Sequence, residues 1–163
     1  MIGIARIGVH IPDDRIDNVE NAIRLGSTES FVEEKIGFNR LAKKRREEKS
    51  SDLCVKAFRD LALTDEEAHR VDFLCVCTQN GDFRLPHTSA VLHDKLGLSE
   101  HCAAFDISLG CSGYPYCLTV AKSFMEANDL HFGLLFTSDP YSDIISEDDR
   151  DTSLLFGDGA TEI

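Results

Sequence analysis

Apolar residues recur along the first stretch of the chain at Ile2, Ile4, Ile7 and Val9. That pattern predicts a strand over residues 2–10, ended by Pro12 and the polar turn Asp13-Asp14-Arg15. Helical spacing follows over 18–25 and again over 28–36, the second with Thr28 as its cap and Gly37 as its stop. Residues 43–49 are charged and read as irregular. Ser50 or Ser51 then caps a helix in which Leu53, Ala57 and Leu61 share a face, with Cys54 and Phe58 beside them. Thr64-Asp65-Glu66-Glu67 has capping-box spacing for one further short helix. Residues 71–78 are almost wholly apolar, which suits a strand buried on both faces. A loop from Gly81 to Pro86 leads to a helix over 88–96, closed by Gly97. A buried strand over 103–107 runs through a small-residue turn into a helix over 112–128, and 132–137 reads as another buried strand. A long acidic loop over 139–151 separates it from residues 153–156, the turn Gly157-Asp158-Gly159 and a last strand beginning at Ala160.

Strands alternating with helices predict an α/β fold with a mostly parallel sheet covered on both faces. At 163 residues the chain is the size of one domain, and no repeat, linker or low-complexity segment divides it. Hydrophobic residues at 42% and charged residues at 28% are those of an ordinary globular protein, and no run reaches the roughly 18 apolar residues of a membrane span. The net charge of −12 argues against nucleic acid and anionic membranes as partners. Lys43-Lys44-Arg45-Arg46 is a local exception that could attract a phosphate group. Six cysteines without a secretory signal fit a reducing cytoplasm better than a disulfide framework. The last strand is only just begun at Ile163, so the chain is expected to be a piece of something longer.

The stretch Phe105-Asp106-Ile107-Ser108-Leu109-Gly110-Cys111-Ser112-Gly113-Tyr114 concentrates the chemistry. Cys111 falls where the turn becomes a helix, so backbone N–H groups and the positive end of the helix dipole point at its sulfur. A cysteine so placed can act as a nucleophile. Gly110 and Gly113 leave room for a substrate beside the backbone. A buried, inert cysteine at a strand–helix junction fits the local pattern equally well.

Four stretches in order decide between these readings. Ala104-Phe105-Asp106 through Cys111-Ser112-Gly113-Tyr114 is similar to the nucleophile segment of thiolase-fold condensing enzymes, where Ala-Cys-Ala-Gly-Phe is usual. Leu155-Phe156-Gly157-Asp158-Gly159-Ala160 matches their Phe-Gly-Asp-Gly-Ala signature. Asp149-Arg150 precedes it at the expected distance, and Ile36-Gly37-Phe38 with Arg40 resembles the Thr-Gly-Ile-Arg segment. The chain thus resembles the N-terminal half of a ketoacyl-acyl-carrier-protein synthase III. The resemblance implies one half of the duplicated thiolase fold, a five-stranded mixed sheet with helices on both faces, spanning 1–163 and lacking its C-terminal half. It implies acyl transfer and decarboxylative Claisen condensation: Cys111 takes an acyl group from acyl-CoA, and malonyl on acyl carrier protein supplies the attacking carbanion. A His and an Asn would come from the missing half, and the Cys111 N–H would be one oxyanion donor. Carried over by position, Arg150 stacks on the CoA adenine, Phe31 stands where a Trp is usual on its other face, and Lys35 stands where a second Arg is usual. Leu85, before Pro86, matches the residue (often Phe) that crosses a homodimer interface to line the neighbour's acyl pocket. No cofactor is expected, acyl-CoA entering as substrate.

Other residues read as structure. Cys75 and Cys77 face the same side of a strand about 7 Å apart, and with His69, His87 and His93 nearby they still fit no usual zinc spacing, so no metal site is expected. Cys54, Cys102 and Cys117 read as small core residues, Asp106 and Asp158 as backbone-binding carboxylates near turns. The acidic run Glu147-Asp148-Asp149 reads as part of a solvated, mobile flap. Beside the condensing enzyme stand two alternatives. One is an inactive thiolase-fold scaffold or partner subunit; the other is an acyltransferase of secondary metabolism or a hydroxymethylglutaryl-CoA-type synthase. An acidic chain repels acidic carrier protein, so docking would fall to the missing half or to residues 43–46.

Overall fold

The computed structural model describes residues 2–163, whose contacts gather into two compact units, each drawn from separate parts of the chain. The first unit comprises residues 2–10, Lys49–Asp139 and Ala160–Ile163. The second comprises Ile11–Glu48 and Pro140–Gly159.

The first unit is built on a five-stranded sheet. In chain order its strands are β1 (Gly8–His10), β4 (Phe73–Cys77), β5 (Ala103–Ile107), β6 (Gly133–Ser138) and β7 (Ala160–Glu162). Their order across the sheet is β1-β7-β6-β4-β5. β4 pairs in parallel with both β5 and β6, and β7 pairs antiparallel with both β6 and β1. The sheet is therefore mixed, as the resemblance implies. The predicted strand over residues 2–10 is realised only as Gly8–His10; residues 2–7 form no strand, and Ile4 and Ile7 are exposed.

Successive residues of β4 serve opposite faces, which is why an unbroken apolar run suits it. Leu74 and Val76 join Leu134 and Phe136 in a core with Leu53 and Ala57 of α3 (Ser50–Asp60), Leu61 at its C-cap, and Leu92 of α5 (Thr88–Leu96). Phe73, Cys75 and Cys77 join Leu135 on the other face against Cys117, Ala121 and Met125 of α6 (Gly113–Ala127). The rings of Phe73, Phe105 and Phe124 meet mutually at centroid distances of 5.5, 5.6 and 5.3 Å, which fixes α6 against β4 and β5.

Helix starts in this unit use acceptors from near and far. The expected cap at Ser50 or Ser51 lies one residue early, at Lys49, whose N–H is taken by the Asp52 carboxylate at 2.9 Å. The short α4 (Asp65–His69) begins with the predicted capping box between Thr64 and Glu67. Asp106 on β5 accepts the N–H groups of Thr88 and Ser89 at 2.7 and 2.8 Å, so a strand carboxylate caps α5. That is the structural role expected of Asp106.

The second unit holds a short hairpin, with β2 (Arg15–Asp17) antiparallel to β3 (Arg40–Ala42). Asp17 caps α1 (Asn18–Arg24) by accepting from Val19 and Glu20. The helical segment expected over 28–36 forms as α2 (Glu29–Phe31) continued by a π-helical turn (Val32–Ile36) and stopped at Gly37, where φ is +85°. Buried Asn18 donates to the carbonyls of Phe38 and Leu154, tying the two parts of the unit together. The acidic run Glu147-Asp148-Asp149 is solvent-exposed, as expected, but the stretch that holds it has local structure. It contains a 3-10 turn (Tyr141–Asp143) and α7 (Arg150–Ser153), with Glu147 paired to Lys43 at 2.6 Å and Asp148 to Arg24 at 2.9 Å. Lys44 is 4% exposed and pairs with Asp143 at 2.7 Å. The basic run thus spends two of its charges on this unit's own carboxylates, because those carboxylates lie within reach, instead of presenting them to a phosphate.

Candidate active site

Three parallel strands end at the same edge of the sheet, and each is followed at once by a chemically capable side chain. β4 ends in Cys77, β5 leads through Leu109 and Gly110 to Cys111, and β6 is followed by Asp139. The carboxyl edge of parallel strands is where open α/β sheets form their sites. A cavity of about 400 Å³ lies there, lined by Cys77, Leu109, Gly110, Cys111, Tyr114, Thr137, Asp139, Thr161 and neighbouring residues 7 and 163.

Cys111 is exposed, and the other five cysteines are buried. It precedes Ser112, the N-cap of α6. Within the turn, the Gly113 N–H is taken by the Gly110 carbonyl at 2.7 Å and the Tyr116 N–H by the Ser112 carbonyl at 3.3 Å. The Cys111 N–H has no acceptor among the described residues, so it is free to bind an oxyanion forming on a group attached to the sulfur. A Cβ at Gly113 would lie 2.4 Å from the Cys77 sulfur. Glycine there lets the first turn of α6 sit directly on β4, which holds Cys111 at the mouth of the cavity.

The walls are fixed by polar contacts. One Asp139 carboxylate oxygen accepts the Thr78 hydroxyl at 3.0 Å and the N–H groups of Gln79 and Asn80 at 2.7 and 3.1 Å. Thr137 and Thr161 share a hydroxyl hydrogen bond of 2.7 Å across β6 and β7. Cys77, whose thiol donates to the Leu109 carbonyl at 3.5 Å, is pushed up to about 12 by burial and by its neighbour Cys117. Its thiol is therefore protonated at neutral pH.

The sequence reading singled out Cys111 but passed over Asp139 and assigned Cys77 no part in the site. The signal was available: both stand at the carboxyl end of a strand in a parallel trio. The other expected site residues fall elsewhere. Leu85 is in the first unit, 86% exposed and outside the Cys111 cavity. Phe31, Lys35 and Arg150 belong to the second unit. Phe31 ends α2 and is partly exposed, Lys35 is exposed in the π-helical turn, and Arg150 opens α7 with its guanidinium 3.4 Å from Asp151. No group of metal-ligating side chains occurs among the described residues, and none of their helices is long and apolar enough to cross a membrane.

A family model described as 3-oxoacyl-[acyl-carrier-protein] synthase III matches residues 105–162, which run from the strand before Cys111 to the end of β7. The beta-ketoacyl-[acyl-carrier-protein] synthase III of Helicobacter pylori (strain G27) is 36% identical over 94% of this chain and 47% of its own length. A solved 3-oxoacyl-(acyl-carrier-protein) synthase III superposes with a TM-score of 0.89 at 35% identity, over 98% of this chain and 48% of the other. The synthase III from Thermus thermophilus gives 0.91 at 29% identity, over 99% and 50%. The chain spans about half the length of the relatives it matches. Its fold is that of one half of a thiolase-fold condensing enzyme. Within that class it is similar in kind to one half of the 3-oxoacyl-acyl-carrier-protein synthase III proteins.

Proposed function

We propose that this chain supplies the nucleophile-bearing half of a ketoacyl synthase III. It would perform acyl transfer and decarboxylative Claisen condensation through an acyl thioester on Cys111. The observation that carries the reading is the placement of Cys111: an exposed thiol at the start of α6, above a cavity, beside its own unengaged N–H. When the thiolate attacks the carbonyl of an acyl-CoA thioester, negative charge develops on the carbonyl oxygen. An N–H at that place stabilises it, and removing one such donor costs about 10²–10³ in rate in acyl-transfer enzymes. The CoA thiolate then leaves and the acyl group stays on sulfur. A malonyl group on acyl carrier protein would lose CO₂ and attack that thioester, with a His and an Asn of the other half polarising the extender's carbonyl.

Phe31, Lys35 and Arg150 are the residues proposed to meet the CoA nucleotide, the aromatic ring and guanidinium by stacking and the ammonium by charge. Leu85 is proposed to line an acyl pocket across a homodimer interface, where its small size would admit longer chains than a Phe. A reducing cytoplasm is the proposed compartment.

The test is release of free CoA thiol on mixing the chain with acyl-CoAs of several lengths, alone and together with the other half of the synthase. Stoichiometric release from wild type, none from Cys111→Ser, and a preference for shorter chains in Leu85→Phe are the expected results. Absence of release in both settings would replace this reading with that of an inactive thiolase-fold scaffold.

A further inference from the structure

Acyl transfer gives no part to Cys77, yet its sulfur is held against the turn that carries Cys111. Cys77 is 3% exposed and lines the same cavity of about 400 Å³. Its thiol donates to the carbonyl of Leu109, two residues before Cys111. The same sulfur abuts Gly113, two residues after Cys111, closely enough that no Cβ would fit there. Cys77 therefore touches the turn on both sides of the exposed cysteine. Gly110 and Gly113 bracket Cys111 in this turn, and Gly113 is seated directly on the Cys77 sulfur. Burial keeps Cys77 protonated and out of reach of solutes, so an oxidant meets Cys111 first.

We propose that Cys77 and Cys111 form a peroxide-responsive pair in which Cys77 is the resolving thiol. The Cys111 sulfur attacks a hydroperoxide. The O–O bond breaks, one oxygen stays on sulfur as a sulfenic acid, and the other leaves as water or alcohol. The Cys77 sulfur then attacks the Cys111 sulfur. The S–S bond forms as the S–O bond breaks, and the Cys77 proton leaves with the hydroxyl as a second water. Two thiols are oxidised by two electrons and the peroxide is reduced. A disulfide requires the two Cβ atoms to come within about 4.5 Å, and the proposal requires the turn around Cys111 to reach that approach. The modification removes the nucleophile reversibly and spares Cys111 the irreversible sulfinic and sulfonic acids. It rests on the placement of the two sulfurs and stands whether or not Cys111 carries acyl groups. Cys117 of α6 also contacts Cys77 and is the competing partner.

The experiment exposes the reduced chain to hydrogen peroxide, blocks remaining thiols by alkylation, and maps linked peptides by mass spectrometry. Wild type is expected to yield a peptide joining residues 77 and 111 that dithiothreitol separates, restoring alkylatable Cys111. Cys117→Ser should keep that link. Cys77→Ala and Cys77→Ser, checked for an unchanged thermal melt, should drive Cys111 to products that dithiothreitol does not reverse. Two results in wild type alone would overturn the proposal. One is irreversible oxidation of Cys111 with no link to residue 77. The other is a link from Cys77 to Cys117 while Cys111 oxidises on its own.

Discussion

Two glycine-flanked turns, Gly110-Cys111-Ser112-Gly113 in one unit and Gly157-Asp158-Gly159 in the other, look alike in sequence and do opposite work. The first leaves its central side chain exposed and its backbone N–H without an acceptor. In the second, Asp158 is 4% exposed and its carboxylate is fully engaged, accepting the Lys44 N–H at 2.9 Å, the Ser142 N–H at 3.1 Å and the Ser142 hydroxyl at 2.6 Å. A buried carboxylate holding three donors is a structural rivet. An exposed thiol beside an unengaged N–H has the freedom that the proposed acyl transfer needs. The difference lies in how many hydrogen-bonding groups remain unspent, which the short motifs themselves do not encode.

The sharpest way to break that comparison is to exchange the consequences. Cys111→Ser should abolish acylation altogether while leaving stability within about 0.5 kcal/mol of wild type, as an exposed substitution does. Asp158→Ala should do the reverse. It strands three donors, and urea unfolding should show a loss of roughly 2–4 kcal/mol, with Asp158→Asn recovering part of it. A Cys111 variant that unfolds readily, or an Asp158→Ala chain of unchanged stability, would erase the distinction.

Glu162 on β7 extends the contrast to a carboxyl with nothing to bind. It is 0% exposed, and neither of its oxygens has a hydrogen-bond partner among the described residues. It lines a second cleft of about 450 Å³ together with Arg6, Glu67, Lys122 and His131. Burial raises its carboxyl from 4.5 to about 8, so the folded chain holds a proton that the unfolded chain has already lost. Its contribution to stability is therefore full below about pH 4.5, falls as pH rises toward 8, and levels off above that. Thermal or urea melts across this window should lose on the order of a few kcal/mol, and Glu162→Gln should remove that slope. A wild-type curve that rises with pH over the same window would contradict the assignment.

The smallest expected effect concerns the seat of α6. Gly113→Ala pushes a methyl into the Cys77 sulfur and should cost roughly 1–3 kcal/mol. Adding Cys77→Ala removes the obstruction and should return most of that loss in a double-mutant cycle. Purely additive losses would show that the sulfur does not set the position of the turn.

Much of this was legible before any coordinates. The buried strands Phe73–Cys77, Ala103–Ile107 and Gly133–Ser138 announce themselves as apolar runs, and α4 by its capping box. The hairpin Arg15–Asp17 with Arg40–Ala42 was not legible, because three-residue strands rich in charge carry no alternation. The anchoring of the acidic stretch was equally hidden: Glu147 and Asp148 look like solvated charge until Lys43 and Arg24, over a hundred residues earlier, are brought beside them. Cys111 was singled out as a candidate through its turn and its family resemblance. Asp139 and Cys77 become site residues only when parallel pairing brings the ends of β4, β5 and β6 to one edge.

The most direct test of the central claim is the intact mass of the chain after exposure to acyl-CoAs, followed by peptide mapping under conditions that keep thioesters intact. The account predicts a gain of one acyl group per chain, located on Cys111 and absent from Cys111→Ser. No gain, or a gain located on any other cysteine, would contradict it.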